Sequence, residues 1–282
     1  MKDANEKYHD RVAARYDDVY GRDAYWEYYL EAGRRRIKKH LPRDLAHPVL
    51  DAGCGTGLYG LWLLKSGFKV VFADLSQKML DRAEEKAAAM PQRKNATFVK
   101  SDLQRSEEFA DGTFSLVLAQ GDPLSFVPDP SLAVRHLARI LRPGGVVAAG
   151  VDSRFGGLDV FVKRARPAEV DELAVFLRTG AATWLADDKN ERFATHAFSP
   201  EELRKLGRKA GLETVEIAGR TLFDLRGGHA WLADPEARRK LLALEDEFGD
   251  GEAALGRAHH LQVVWRKPAA GSERAGAEPE IA

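Results

Sequence analysis

The chain has 282 residues, 43 Lys+Arg against 43 Asp+Glu, 44% apolar and 30% charged residues, and no formal net charge. A chain of this size buries roughly 70–75% of its extended surface, and its composition is that of an ordinary globular protein, which excludes disorder and fibrous repeats. Charge neutrality argues against phosphate-driven adhesion to nucleic acid as the main activity. Residues 5–40 carry a helical pattern rich in aromatics, among them Tyr8, Tyr16, Tyr20, Tyr25, Trp26, Tyr28 and Tyr29. From Pro48 onward short apolar runs alternate with helix-period segments. Strands are predicted at 49–51, 69–74, 97–100, 114–119 and 146–151, with helices at 57–64, 76–90 and 131–141 between them. Ser76 suits the N-cap of its helix, and a Pro143-Gly144-Gly145 turn precedes the fifth strand. Strands separated by helices of this length form parallel βαβ units with helices on both sheet faces.

The alternation lapses over 152–198 and resumes at Ser199-Pro200-Glu201-Glu202, where serine suits an N-cap and proline the first helical position. Strands at 213–218 and 260–266 follow, separated by a second interruption over about 220–258. Both interruptions exceed ordinary connections and are expected to form lids or pocket walls. The division expected is a helical lid (1–44), a core (45–151), an insertion lining the acceptor pocket (152–198), the rest of the core (199–267) and a disordered tail (268–282).

The most informative stretch is Val49-Leu50-Asp51-Ala52-Gly53-Cys54-Gly55-Thr56-Gly57. Glycines at a strand-to-helix turn allow positive φ and let a ligand approach the backbone, and the following helix offers unpaired N–H groups. The dinucleotide fingerprint needs glycines at the first, third and sixth places; here they fill the first, third and fifth, and Leu58 holds the sixth. Asp51 sets negative charge near the loop, which repels pyrophosphate and suits a sulfonium or ammonium. Asp74, ending the second strand, stands where a carboxylate accepts both ribose hydroxyls. Asp102, after the third strand, stands where an adenine amino group can donate to it. Taken singly, Asp74 and Asp102 also suit helix caps.

Loop, Asp74 and Asp102 together resemble the class I S-adenosylmethionine-dependent methyltransferases over residues 45–150. The resemblance implies a Rossmann-like α/β fold: a doubly wound seven-stranded sheet with its last strand antiparallel, N-terminal helices and two lid insertions. It implies S-adenosylmethionine as cofactor, held by Asp51, Gly53, Cys54, Gly55 and Gly57, by Asp74, Leu75 and Met79, and by Asp102, Leu103 and Gln120. Cys54 contributes backbone in such a loop rather than thiol chemistry.

Val12-Ala13-Ala14-Arg15-Tyr16, Trp26 and the run Arg34-Arg35-Arg36 resemble the N-terminal segment of glycine/sarcosine-type N-methyltransferases. There an early tyrosine, a tryptophan and an arginine contact the methionine end of the cofactor, which points to Tyr16, Trp26 and Arg35. Gly121-Asp122-Pro123 replaces a glycine-asparagine pair of that group, and Arg154 matches an arginine that grips an amino-acid carboxylate. Asp122 and Arg154 are therefore the catalytic candidates. Asp122, after the fourth strand, either accepts a proton or hydrogen bond from the acceptor or caps the next turn. Arg154 offers a bidentate fork for a carboxylate, or else a structural ion pair. The N-terminal aromatics either pack the helices or cover the cofactor, since aromatic faces attract cations.

His196, His229, His259 and His260 lie in or beside the interruptions and are read as packing or solvated residues before acid–base ones. No metal is expected, because no His/Cys/Asp/Glu cluster has zinc spacing. The lone Cys54 leaves no intramolecular disulfide. With neither a secretory signal nor an apolar run of roughly 18 residues, a cytoplasmic location is expected. The expected reaction is methyl transfer to a small-molecule acceptor, with nitrogen ahead of a hydroxyl. Transfer to RNA or protein, and a silent cofactor-binding module, are the alternatives.

Overall fold

The apolar runs pair into one seven-stranded sheet in the computed structural model, which describes residues 3–156, 158, 170–184, 187–223, 225, 230–269 and 271. In chain order the strands are β1 (Val49–Ala52), β2 (Val70–Asp74), β3 (Ala96–Lys100), β4 (Phe114–Ala119), β5 (Leu141–Asp152), β6 (Ala181–Trp184), β7 (Phe193–His196), β8 (Glu213–Arg220) and β9 (His260–Arg266). The large sheet runs β3-β2-β1-β4-β5-β9-β8, and β6 and β7 form a separate hairpin. The first five strands are parallel, whereas β9 lies antiparallel to both β5 and β8.

Helices cover both faces. α1 (Ala4–Val12), α2 (Tyr16–Arg22) and α3 (Ala24–Lys38) precede the sheet; α4 (Gly60–Lys65), α5 (Gln77–Ala88) and α6 (Pro130–Ile140) are crossovers. Side chains alternate across a strand, so Leu50, Ala52, Val117, Ala119 and Val147 pack on one face with Leu137 and Trp265. Val49, Leu116, Leu118 and Ala148 pack on the other with Tyr29, Leu63 and Phe72. A sheet covered twice reads as continuous apolar runs, and all four residues of β1 are buried. Chain order reverses between β1 and β4, the place where open α/β sheets leave a crevice at their carboxyl ends.

Local signals account for several boundaries. Ser76 Oγ accepts from Met79 N at the start of α5. Ser199 and Glu202 form a reciprocal capping box at the start of α8 (Pro200–Lys209). The predicted helix at 57–64 starts later, at Gly60, because the loop before it takes positive φ at Gly53, Gly55 and Gly57. The Pro143-Gly144-Gly145 turn is absorbed into β5, which begins at Leu141 and shifts register against β4 between Phe114 and Leu116.

The two interruptions are structured. The first holds α7 (Val170–Thr179) and the β6–β7 hairpin. The second holds α9 (Ala230–Ala233), α10 (Pro235–Phe248) and α11 (Glu252–Arg257). α10 packs on α3 through Tyr25, Tyr28, Leu241 and Leu242. Buried Glu245 accepts from Tyr28 Oη at 2.6 Å and from the backbone N–H of Thr221 and Leu222. His229, residues 157 and 159–169, and the tail apart from 268, 269 and 271, including its expected disorder, lie outside the described residues. Among the described residues no helix is long and apolar enough to cross a membrane.

Candidate active site

A cleft of about 880 Å³, counting the space open to solvent, lies over the carboxyl ends of β1, β2 and β4. Its floor is Gly53, Cys54 and Gly55, and Asp74, Leu75, Asp102 and Leu103 form one wall. Gln120, Gly121 and Pro123 form the side after β4. Asn5, Glu6 and His9 from α1, with Tyr16 and Tyr20 from α2, also line it, and Tyr29 and Tyr59 add two more rings.

The floor is built by backbone geometry. Gly53 has φ +69°, and its N–H and that of Cys54 donate to Ala73 O at 2.8 and 3.0 Å, tying the loop to the end of β2. A Cβ on Gly53 would meet Pro123 Cβ at 2.6 Å. At Gly55, with φ +52°, a Cβ would enter the cleft and meet only Tyr16 Cε1, at 3.9 Å, so the missing side chain leaves room for a ligand. Cys54 is buried, which pushes its thiol well up and leaves it unreactive.

Asp74 Oδ2 accepts from Gly55 N and Oδ1 from Ser76 N, both at 2.8 Å. Burial raises its carboxyl above the ordinary value; the two N–H groups work against that rise. A carboxylate offers about four lone-pair positions, so two remain for a pair of hydroxyls. Asp102 Oδ1 accepts from Gln104 N at 2.9 Å. Burial pushes the phenols of Tyr16, Tyr20, Tyr29 and Tyr59 up, so the rings stay neutral and offer electron-rich faces to a cation.

Of the expected cofactor residues, Tyr16, Gly53, Cys54, Gly55, Asp74, Leu75, Asp102, Leu103 and Gln120 line the cleft. Five stand behind or away from it. Asp51 is 1% exposed and caps α4, its Oδ2 accepting from Gly60 N at 2.7 Å; burial pushes its carboxyl up to about 7. Gly57 packs towards Ala83 and Phe72, and Met79 is in the core. Trp26 stacks among Tyr20, Tyr25 and Tyr29 and reaches the cleft only through them. Arg35 turns to α10, its Nε donating to Asp246 Oδ2 at 2.7 Å.

The two catalytic candidates part company. Arg154 is buried and taken up by Glu202 of α8 and by the Ala197 carbonyl at 3.4 Å, so it fastens β5 to the first insertion rather than facing the cleft. Asp122, between two lining residues, has φ +65° and takes a hydrogen bond from Tyr29 Oη at 3.3 Å. Burial alone would raise its carboxyl, but His260, Arg220 and Tyr29 together hold it below the ordinary value.

Sequence reasoning missed the surroundings of Asp122. One atom each from Asp122, Asp152 and His260 lies within 4.8 Å of the others. Arg220, fully buried, donates to Tyr59 Oη at 3.2 Å, Gln120 Oε1 at 3.0 Å and Tyr29 Oη. It also stacks on the Tyr29 ring and stands 3.9 Å from Asp122 Oδ1. Asp152 and Arg220 are the cross-strand partners of His260 on its two sides. Spacing gives no sign of this grouping, because register across three strands assembles it; the sequence signal was their common place at strand ends.

A methyltransferase-domain family model matches residues 49–145. The cypemycin N-terminal methyltransferase of a Streptomyces species is 30% identical over 204 residues, covering 65% of this chain and 79% of the relative. The ubiquinone biosynthesis O-methyltransferase of Thiobacillus denitrificans is 33% identical over 195 residues, covering 67% and 74%. A crystal structure of a SAM-dependent methyltransferase from Methanosarcina mazei shares the fold, with TM-score 0.60 at 20% identity over 83% of this chain and 97% of that one. S-adenosylmethionine is the cofactor these findings imply, and the spare acceptors of Asp74, the open Gly55 and the neutral tyrosine faces fit its ribose, backbone approach and sulfonium. Kinship over some two thirds of the length, joined to a family match that spans the glycine loop, Asp74, Asp102 and Asp122, makes the chain a member of the class I S-adenosylmethionine-dependent methyltransferases.

Proposed function

We propose that the chain methylates an amine nitrogen of a small-molecule acceptor. The observation that carries this reading is the pair of carboxylates, Asp122 and Asp152, at the carboxyl ends of neighbouring strands beside the cleft. Asp122 is held below the ordinary carboxylate value, and partial desolvation together with the Asp122 charge pushes the Asp152 carboxyl above it. Two acids so placed favour a cationic or amine-bearing group over an anion. The likeness of Val12-Ala13-Ala14-Arg15-Tyr16 to glycine/sarcosine-type N-methyltransferases, with Tyr16 lining the cleft, and the N-terminal methyltransferase among the relatives support nitrogen.

When bound, S-adenosylmethionine supplies a methyl group activated by the positive sulfur. The chain's part is placement. Asp74 and Asp102 would hold the nucleoside, the loop from Gly53 to Gly55 would lie along it, and the tyrosine rings would face the cationic end. Holding acceptor and methyl in line supplies up to about 7–11 kcal/mol of acceleration in favourable cases, and α1 and α2, which line the cleft, would help to keep water from the reacting centre.

Isotope-labelled methyl transfer to amines, amino acids and phenols tests the reading, with secondary or tertiary amines expected as products. Products methylated only on oxygen refute it. Transfer to a hydroxyl is the second reading, favoured by the imidazole of His260 beside Asp122 and by the O-methyltransferase relative.

A further inference from the structure

We infer that His260 is the general base that takes the acceptor's proton, with Asp122 and Asp152 as the positioning residues that fix its ring. The inference rests on the methyl-transfer reading above and deepens it. His260 Nδ1 lies 3.1 Å from Asp122 Oδ2 and 3.7 Å from Asp152 Oδ1, so both carboxylates address the same ring nitrogen. That nitrogen is buried and makes no aligned hydrogen bond in this state, which leaves the two carboxylates as the nearest acceptors for a proton on it. A proton held at Nδ1 leaves Nε2 with a free lone pair, the tautomer a base requires. Catalytic hydrogen bonds are often loose without substrate and tighten in the reacting complex.

The ring is held from every side. Asp152 is its partner on β5 and Arg220 its partner on β8, while Asp122 approaches from the loop after β4. From α3 the Tyr29 ring meets the imidazole edge-on, with centroids 5.0 Å apart, and the Tyr29 hydroxyl donates to Asp122. Arg220, which also bonds Tyr59, stands 3.9 Å from Asp122 Oδ1 and adds positive charge beside it. Tyr29 itself lines the cofactor cleft, and Asp152, with 40% of its side chain accessible, is the member of the group most open to an incoming molecule.

The proton balance is closed. An acceptor arriving as an ammonium gives its proton to His260 Nε2 and becomes a neutral amine that keeps the electron pair. That pair forms the new N–C bond as the C–S bond breaks, with its electrons passing to sulfur. The imidazolium, stabilised by Asp122 and Asp152, then releases the proton to solvent. A hydroxyl acceptor follows the same course through oxygen.

The test has two arms. In the first, histidine-¹⁵N-labelled protein is observed by NMR with S-adenosylhomocysteine at about pH 8. His260 is assigned by its loss in His260→Gln or His260→Asn. A protonated Nδ1 and bare Nε2 are expected; the opposite tautomer overturns the inference. In the second, labelled methyl transfer is followed from pH 5 to 10 with 2-phenylethylamine, glycine, putrescine and catechol. His260→Gln should lower kcat about 10²–10⁴-fold. Added imidazole should restore part of the rate, and S-adenosylhomocysteine affinity should hold within threefold. A kcat within threefold of wild type overturns the inference, as does activity abolished by EDTA and restored by Mg²⁺. An amine methylated equally well by His260→Gln leaves the amine reading standing and removes the base. Methylation of catechol alone removes the amine reading, and His260 is then judged on the catechol rate. If none of the four reacts, the tautomer decides.

Discussion

Replacing Asp74 by alanine takes away four acceptor positions at once, two of which serve the protein. Gly55 N–H and Ser76 N–H each donate to one carboxylate oxygen at 2.8 Å. Asp74 lines the cleft, and we assign the other two positions to the pair of hydroxyls of the nucleoside sugar. A hydrogen bond to a charged group contributes about 1.5–3 kcal/mol, so losing two to the sugar costs about 3–6 kcal/mol. That is a rise in Kd of roughly 10²–10⁴-fold. Asp74→Asn keeps one carbonyl acceptor and should give about half the loss in free energy. Calorimetric titration of each variant with S-adenosylhomocysteine reads the affinity. Thermal unfolding without ligand reads the separate cost of leaving Gly55 and Ser76 unpaired. Affinities within threefold of wild type in both variants would refute the assignment of Asp74 to the sugar.

Tyr20→Leu should weaken S-adenosylmethionine binding by about 1 kcal/mol, the scale of a cation–π contact, and barely affect the uncharged homocysteine product; equal losses for both ligands would show the ring acts by packing alone. Arg154→Ala should lower stability by about 2 kcal/mol, since it strips Glu202 of a charged partner, and leave acceptor KM unchanged; a raised KM for carboxylate-bearing acceptors alone would restore it to the acceptor site. Glu216 is held down to about 2 by the His40 hydrogen bond first and by Arg36, against burial. Its folded value lies below the unfolded one, so its contribution is complete above about pH 4.5 and disappears as pH falls towards 2. The drop from 4.5 to about 2 corresponds to about 3 kcal/mol. Glu216→Gln should therefore flatten the acid limb of the unfolding profile in that window, and an equally steep limb in the variant would count against the triad of Glu216, His40 and Arg36.

What could be read in advance was what neighbouring residues decide. The loop from Gly53 to Gly57 carries its positive φ angles in its own composition, and the strand at 114–119 appears as one uninterrupted apolar run. Ser199-Pro200-Glu201-Glu202 announces a helix start because all the partners of its capping box lie within one turn. Arg154 was ambiguous for the opposite reason: its partner, Glu202, is 48 positions away, and nothing near Arg154 tells a ligand fork from an internal pair. Arg35 and Trp26 are similar cases, with α10 and the ring stack around Tyr20 deciding where they point. His260 reads as a packing residue in the sequence because its carboxylate partners arrive only through the register of β5 with β9 and the turn after β4.

Arg220 touches two problems that are usually solved separately. The same guanidinium props Tyr29, Tyr59 and Gln120, which line the cleft, and steadies Asp122 beside it. Breaking a buried charge pair by removing one member costs roughly 3–5 kcal/mol, so neither half can be redesigned by trading this residue away. A change at this residue therefore moves both ends of the site together, and neither can drift while the other keeps still.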